Sequence, residues 1–213
     1  MNLADLRENY TKGGLQESEM LPNPVDQLAE WLKTARDAGI PDPNAMTVAT
    51  ANSNGEVSSR TLLLKGIEGR RLQFFTNYRS SKAQDLAENP QAAITFFWKE
   101  LERQVCIRGT VVKTSREASE NYAKIRPYDS QIGAWVSERQ SEIIPNRALL
   151  EQRDRDYREK FPKANGVPCP DFWGGYQLTP TYLEFWQGRQ GRLHDRLRYR
   201  LEDGNWIMER LSP

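Results

Sequence analysis

Ala45-Met46-Thr47-Val48-Ala49-Thr50-Ala51-Asn52-Ser53-Asn54-Gly55-Glu56-Val57-Ser58-Ser59-Arg60-Thr61-Leu62-Leu63-Leu64-Lys65 is the stretch that decides the fold class of this 213-residue chain. Met46, Val48 and Thr50 alternate with smaller residues, which is the period of a half-buried strand. Ser53-Asn54-Gly55 is a strong turn signal, and the run Val57 to Lys65 reads as the returning strand. The pattern continues downstream. A second turn around Glu68-Gly69 precedes a third strand, Leu72 to Thr76, and a short helix, Ser80 to Glu88, ends at Asn89-Pro90. Strands Ala92 to Trp98 and Arg103 to Val112 follow, and Thr114 with Glu117 makes a capping box for a helix towards Ile125. A charged helix from about Arg147 to Phe161 leads into a Pro/Gly-rich loop, 162–175. The tail reads as strands Tyr176 to Leu178, Tyr182 to Trp186 and Leu197 to Leu201, an Asp203-Gly204 turn, and Trp206 to Leu211.

Upstream, Asn23-Pro24 supplies an N-cap and a proline for the first helical position. Val25, Leu28, Ala29, Leu32 and Ala35 then recur at helical spacing until Gly39 and Pro41. Residues 1–22 lack that periodicity and read as an arm, leaving 23–213 as a single domain. About eight strands joined by short turns and interrupted by helices predict a mainly β, α+β fold: an antiparallel barrel with flanking helices. No G-x-G-x-x-G follows a strand, which disfavours a dinucleotide-binding Rossmann fold.

Composition narrows the function. Thirty Lys and Arg against 29 Asp and Glu leave a net charge of +1, which excludes a globally basic nucleic-acid binder but not a local anion site. The longest apolar run, Ala92 to Trp98, falls far short of the ~20 residues of a membrane span. Asp5 and Glu8 stand where a signal peptide is basic and then apolar, so the expected location is the cytoplasm. Cys106 and Cys169 form no C-x-x-C pair, and His194 is the single histidine, so no metal site is expected.

Four clusters carry possible chemistry. In Trp186-Gln187-Gly188-Arg189-Gln190-Gly191-Arg192-Leu193-His194-Asp195-Arg196, an extended Arg192–Arg196 segment places Arg192, His194 and Arg196 on one face. Two guanidiniums beside an imidazole bind an anion and transfer a proton; a solvated basic edge strand is the plainer reading. Arg60-Thr61-Leu62-Leu63-Leu64-Lys65 brackets three leucines with cations, as a buried strand with solvated ends also does. Thr76-Asn77-Tyr78-Arg79-Ser80-Ser81-Lys82 precedes a helix whose first amides suit a phosphate with Lys82 in reach, while Ser80 as a simple N-cap explains the same residues. Tyr122 lies four residues before Arg126 on one helix face, near Ser130, and this group suits a second phosphate.

Together these runs resemble the pyridoxamine/pyridoxine 5′-phosphate oxidase family. The resemblance rests on Arg7-Glu8-Asn9-Tyr10-Thr11-Lys12-Gly13-Gly14-Leu15, Arg60 to Lys65, Leu101-Glu102-Arg103-Gln104-Val105, Arg126 to Val136, Phe172-Trp173-Gly174-Gly175, Glu184 to Gly188 and Arg192-Leu193-His194-Asp195-Arg196. It implies an FMN-binding split barrel and a homodimer with FMN at the subunit interface. It also implies oxidation of pyridoxamine and pyridoxine 5′-phosphate to pyridoxal 5′-phosphate, with hydride passing from C4′ to the flavin and oxygen reduced to hydrogen peroxide. Carried over by position, FMN contacts fall on Arg60, Thr61, Leu62, Leu63, Leu64, Lys65, Phe75, Thr76, Ser81, Lys82, Gln104, Gln140, Ser141, Trp186 and Arg196. Substrate contacts fall on Arg7, Tyr10, Lys65, Tyr122, Arg126, Ser130, Arg192 and His194. Arg192 and His194 would face the reacting amine or alcohol, and Arg7 and Tyr10 would close over the site.

Three positions depart from the family pattern. Ser81 stands where arginine is common, with Arg79 as a candidate to compensate. Phe75 replaces a common tyrosine, and Ser137-Glu138-Arg139-Gln140-Ser141 is one residue longer than usual. Two other classes remain for the chain: a non-catalytic flavin or phosphate binder on the same barrel, and a nucleic-acid module using Arg189 to Arg200.

Overall fold

The computed structural model describes residues 9–213, and the elements follow from local signals that residues 45–65 typify. β1 (Ala45–Ala51) pairs antiparallel with β2 (Val57–Leu63) from Ala45↔Leu63 to Ala51↔Val57. Asn52 Oδ1 accepts the backbone N–H groups of Asn54 and Glu56 and so closes the turn, with Gly55 at φ +79°. Ahead of the hairpin, α1 (Pro24–Asp37) starts at Asn23, whose Oδ1 accepts the Val25 N–H. Its Val25, Leu28, Trp31 and Ala35 are buried, the one-sided stripe that periodicity predicts.

The sheet continues through β3 (Gly66–Glu68), β4 (Arg71–Asn77), β5 (Gln91–Trp98), β6 (Arg103–Lys113), β7 (Trp173–Gln187), β8 (Asp195–Glu202) and β9 (Asn205–Leu211). Its order is β2-β1-β5-β6-β7-β4-β3. Because β2 runs almost directly into β3, chain joins the two ends of that path and the sheet closes as a barrel. β6 covers one edge of β7 along nearly its whole length. The other edge is divided: β4 pairs with Trp173–Leu178, and β8 pairs with Tyr182–Gln187. The barrel is split at this division, and the β8–β9 hairpin hangs from the far half.

Inside, alternate residues of each strand meet. Leu72, Phe74, Ile94, Phe96, Val105, Ile107, Leu178, Leu183, Phe185 and Leu197 are buried, and Trp31 of α1 caps them. At roughly 1.5–3 kcal/mol for each large side chain, this core outweighs the surface ion pairs, each worth about 0–1 kcal/mol. The helices α2 (Ser81–Glu88), α3 (Arg116–Ile125), α4 (Tyr128–Val136) and α5 (Arg147–Lys160) flank the barrel. A smaller cluster of Ala123, Ala134, Phe172 and Trp173 joins α3 and α4 to the start of β7.

Several expectations need correction. The two tail strands Tyr176–Leu178 and Tyr182–Trp186 are one 15-residue strand, irregular where Gly109 of β6 lets the Thr179 carbonyl approach. Among the described residues there are nine strands, and they include the short β3, which lies between the expected run ending at Lys65 and the expected turn at Glu68-Gly69. Ser115, not Thr114, caps α3: its hydroxyl accepts the Ala118 N–H. Ser80 flanks α2 without capping it, because its hydroxyl donates to the Asn77 carbonyl instead. Arg192–Arg196 is not extended. Gln190–Arg192 forms a 3-10 turn with Gly191 at φ +65° and Arg192 at φ +63°, and β8 begins only at Asp195.

Candidate active site

A cleft of about 680 Å³ opens between β2, β4, the start of α2, and α4 with the turn that follows it. Arg60, Thr61 and Leu62 of β2 line it, with Phe75 and Thr76 of β4, Ser81 and Lys82 of α2, Arg126 and Ser130 beside α4, and Gln140 and Ser141 of the turn. The structure therefore brings together eleven of the residues expected at the site. In the turn 137–141, Ser141 takes φ +78° and its hydroxyl accepts the Ser81 N–H at 3.3 Å.

Lys82 is buried, yet its Nζ donates to neutral acceptors, Thr76 Oγ1 at 3.2 Å and Gln140 Oε1 at 3.4 Å. Burial, reinforced by the Arg60 charge, pulls its pKa down from 10.5 to about 8. Arg60 likewise donates to neutral oxygens, those of Val48, Thr50 and Ser58, and burial lowers its pKa too. Two desolvated cations facing neutral oxygens beside the first amides of a helix are matched to a phosphate, which would restore their lost stabilisation. The cleft residues thus fit the phosphate end of FMN.

The opposite wall is aromatic. Phe75 stacks on Tyr122 with centroids 3.9 Å apart, and Trp173 lies 5.6 Å from Phe75 in a nearly parallel plane. Arg126 sits over Trp173 at 4.4 Å, its pKa lowered by burial. Arg79, the candidate substitute for the missing arginine, is committed elsewhere: it pairs with Glu138 at 2.5 Å and lies over the Phe172 ring.

Other expected residues lie apart from this cleft. Leu64 is in the barrel core, Leu63 is half-buried, and Lys65 is exposed at the β2–β3 bend; none of the three lines the cleft. Arg7 lies outside the described residues. Tyr10, Gln104, Trp186, His194 and Arg196 form a second patch at the far end of β7, and Arg192 is exposed on the 3-10 turn that leads to His194. Gln104, Trp186 and Arg196 are direct cross-strand partners on β6, β7 and β8, so their side chains share a face. Arg196 is held by Glu184 at 2.8 and 3.1 Å. His194 and Tyr10 pack on Trp186 with centroids 4.8 and 5.5 Å away. The Arg189 N–H donates to His194 Nδ1 at 3.1 Å, which requires a lone pair there and leaves the imidazole proton on Nε2.

Sequence reasoning missed Ser58, Asn77, Gly133, Ala134, Ser137 and Trp173 as cleft residues. Asn77, Gly133, Ala134, Ser137 and Trp173 stood in motif runs without a role of their own, and Ser58 carries no signal outside the folded geometry.

The paired phosphate-type cations, aromatic wall and divided barrel define an FMN-binding split-barrel protein. The model of the family described as pyridoxamine 5′-phosphate oxidase matches residues 32–160, and that of its C-terminal dimerisation region matches residues 173–213. A pyridoxine/pyridoxamine 5′-phosphate oxidase of Paraburkholderia phymatum is 52% identical over 99% of both chains, and one of Nostoc sp. is 50% identical over 99% of this chain and 98% of its own. Among solved structures, PhzG from Burkholderia lata, in complex with tetrahydrophenazine-1-carboxylic acid, superposes with a TM-score of 0.87 at 28% identity, covering 93% of this chain and 98% of its own. This chain belongs to the pyridoxamine 5′-phosphate oxidase family.

Proposed function

We propose that the chain, as a homodimer with FMN, oxidises pyridoxamine 5′-phosphate and pyridoxine 5′-phosphate to pyridoxal 5′-phosphate, reducing oxygen to hydrogen peroxide. The observation that carries this reading is the cleft with cations on two sides, Arg60 and Lys82 on one and Arg126 near Ser130 on the other. It accommodates a phosphate of the cofactor and a phosphate of the substrate in one space, with an aromatic wall between them. Relatives about 50% identical over their full length bear the same activity in their names.

When bound, FMN supplies the hydride acceptor and passes the electrons on to oxygen. The chain's own residues bind, orient and enclose. Lys82, Arg60 and the Ser81 amide hold the cofactor phosphate, and Arg126 with Ser130 and Tyr122 holds the substrate's. Gln104, Trp186 and Arg196 of one protomer complete the cleft of its partner, bringing Arg192 and His194 to the reacting carbon. With its proton on Nε2, His194 offers a donor to the substrate amine or alcohol, and accepts a proton only by releasing the Arg189 amide at Nδ1. Tyr10, seated against Trp186 and His194, closes the site to water together with Arg7.

No helix among the described residues is long and apolar enough to cross a membrane. Both cysteines are unpaired, which supports a cytoplasmic location. Purified protein mixed with FMN should turn yellow, and pyridoxamine 5′-phosphate added without oxygen should bleach it. Readmitted air should restore the colour and release peroxide. A protein that binds FMN but is not bleached would refute the catalytic reading and leave a flavin-binding one.

A further inference from the structure

Arg60 is tied to a carboxylate it does not touch. Its Nη1 donates to Thr50 Oγ1 at 2.7 Å and its Nη2 to Ser58 Oγ at 2.5 Å. Each hydroxyl then has its own proton to give, and both give it to the same atom, Asp85 Oδ2, at 2.6 Å from Thr50 and 3.0 Å from Ser58. Guanidinium, two hydroxyls and one carboxylate oxygen thus form a closed ring of hydrogen bonds joining β1, β2 and α2. In such a ring each bond polarises the next. The third acceptor of Arg60 is the Val48 carbonyl, on β1 beside Thr50.

The arrangement has two consequences. A direct salt bridge would occupy the bidentate edge of the guanidinium and neutralise it. Here the carboxylate stands one hydroxyl away, so Arg60 is oriented while these three acceptors leave N–H donors over for a ligand. Asp85 also lies near Lys82, whose charge it supports while Arg60 opposes it. The negative charge belongs to the same helix that presents Ser81 and Lys82 to the cleft, so helix and guanidinium are locked to each other.

We propose that Asp85 is the positioning residue of the phosphate site, aiming Arg60 at the terminal phosphate of the flavin through Thr50 and Ser58. The inference rests on the FMN reading of the cleft. It goes beyond that reading because Asp85 is neither a cation nor a lining residue, and simple electrostatics gives it the opposite sign. A carboxylate near a phosphate repels it, so removing the charge alone should tighten FMN binding. Removing the aim of Arg60 should loosen it.

The test is equilibrium binding of FMN and of riboflavin, which lacks the phosphate, to cofactor-free protein. Asp85→Asn should bind FMN about tenfold more weakly, the scale of one hydrogen bond to a charged group, with riboflavin affinity unchanged. Asp85 also joins three elements, so thermal melting accompanies each variant. Thr50→Val with Ser58→Ala keeps the carboxylate and cuts the relay, and should show the same selective loss. Adding Asp85→Asn to that double variant should cost little more. Unchanged or tighter FMN binding by Asp85→Asn overturns the proposal, and so does equal weakening for FMN and riboflavin. A wild-type protein that fails to prefer FMN over riboflavin refutes the phosphate reading of the cleft itself, and the proposal with it.

Discussion

Trp173 and Trp186 stand thirteen residues apart on one strand, the first in the cationic cleft and the second at the centre of the His194 patch. At about 3.3 Å per residue, roughly 40 Å of strand separates two groups of residues that the proposed reaction needs in one active site. On that proposal a single protomer holds two different half-sites, and a two-fold dimer would unite them in pairs.

Subunit mixing should therefore rescue activity. Lys82→Ala disables the cleft and His194→Ala the patch, each leaving the other half intact. Unfolded and refolded together in equal amounts, the two inactive proteins should recover about a quarter of wild-type activity, since half the dimers are mixed and each has one sound site. Each variant refolded alone gives the baseline. No recovery in mixtures shown to contain mixed dimers would place both halves of the site within one protomer.

Lys82 makes cofactor binding depend on pH. Burial and Arg60 lower its folded-state pKa to about 8. The free protein therefore loses this charge as pH rises through about 8, whereas a bound phosphate retains it to higher pH. Above pH 8 binding must take up a proton, so the Kd for FMN should rise by up to about tenfold per pH unit, while that for riboflavin stays level. Stability of the free protein should move the other way. A lysine whose folded pKa is depressed weakens the fold while charged, so this penalty is relieved between about 8 and its ordinary 10.5. Lys82→Met should flatten the FMN profile in a titration from pH 7 to 10.

Ser81 leaves room for a stronger grip. Arg79 is committed to Glu138 and Phe172, so it does not stand in for the arginine that the family resemblance implies at position 81. Ser81→Arg should tighten FMN binding by about three- to tenfold, the range of one charge-assisted hydrogen bond on an exposed rim. Fluorescence titration of the cofactor-free protein measures it, and an unchanged Kd would assign the compensation to Gln140 and Ser141.

Gly188 keeps space for Tyr10. A Cβ at this position would meet the Tyr10 ring at 2.7 Å, so Gly188→Ala must push that ring off Trp186 and His194. FMN binding should persist while kcat/KM falls about tenfold through lost closure. In a Tyr10→Ala background the same change should cost almost nothing, because the clash has gone.

What could be read from sequence follows the range of the forces involved. The β1–β2 hairpin was legible because alternation at Met46, Val48 and Thr50 and the turn at 53–55 are local signals. α4 was not, because Ile132, Ala134, Trp135 and Val136 crowd its end without a clear apolar stripe and Pro127 precedes it. The Arg192–Arg196 segment misled because two successive left-handed residues, Gly191 and Arg192, are compatible with the sequence but not required by it. In the site, Arg60, Lys82 and Arg126 were legible as cations bordering regular elements. Their separation from His194 was not, since it depends on β7 being one continuous strand. Asp85 was invisible for a similar reason: its partners Thr50 and Ser58 lie on two other strands, 35 and 27 positions away.

The irregularity where Gly109 meets Thr179 and Pro180 constrains how such a chain can change over generations. β7 is a ruler bearing one proposed half-site near each end, and its successive side chains point to opposite faces of the sheet. An inserted or deleted residue on either side of that irregularity would turn every later side chain to the wrong face, Trp186 included. Length drift is thus confined to loops such as 137–146 and 161–172. Within β7, heritable change proceeds by substitution alone.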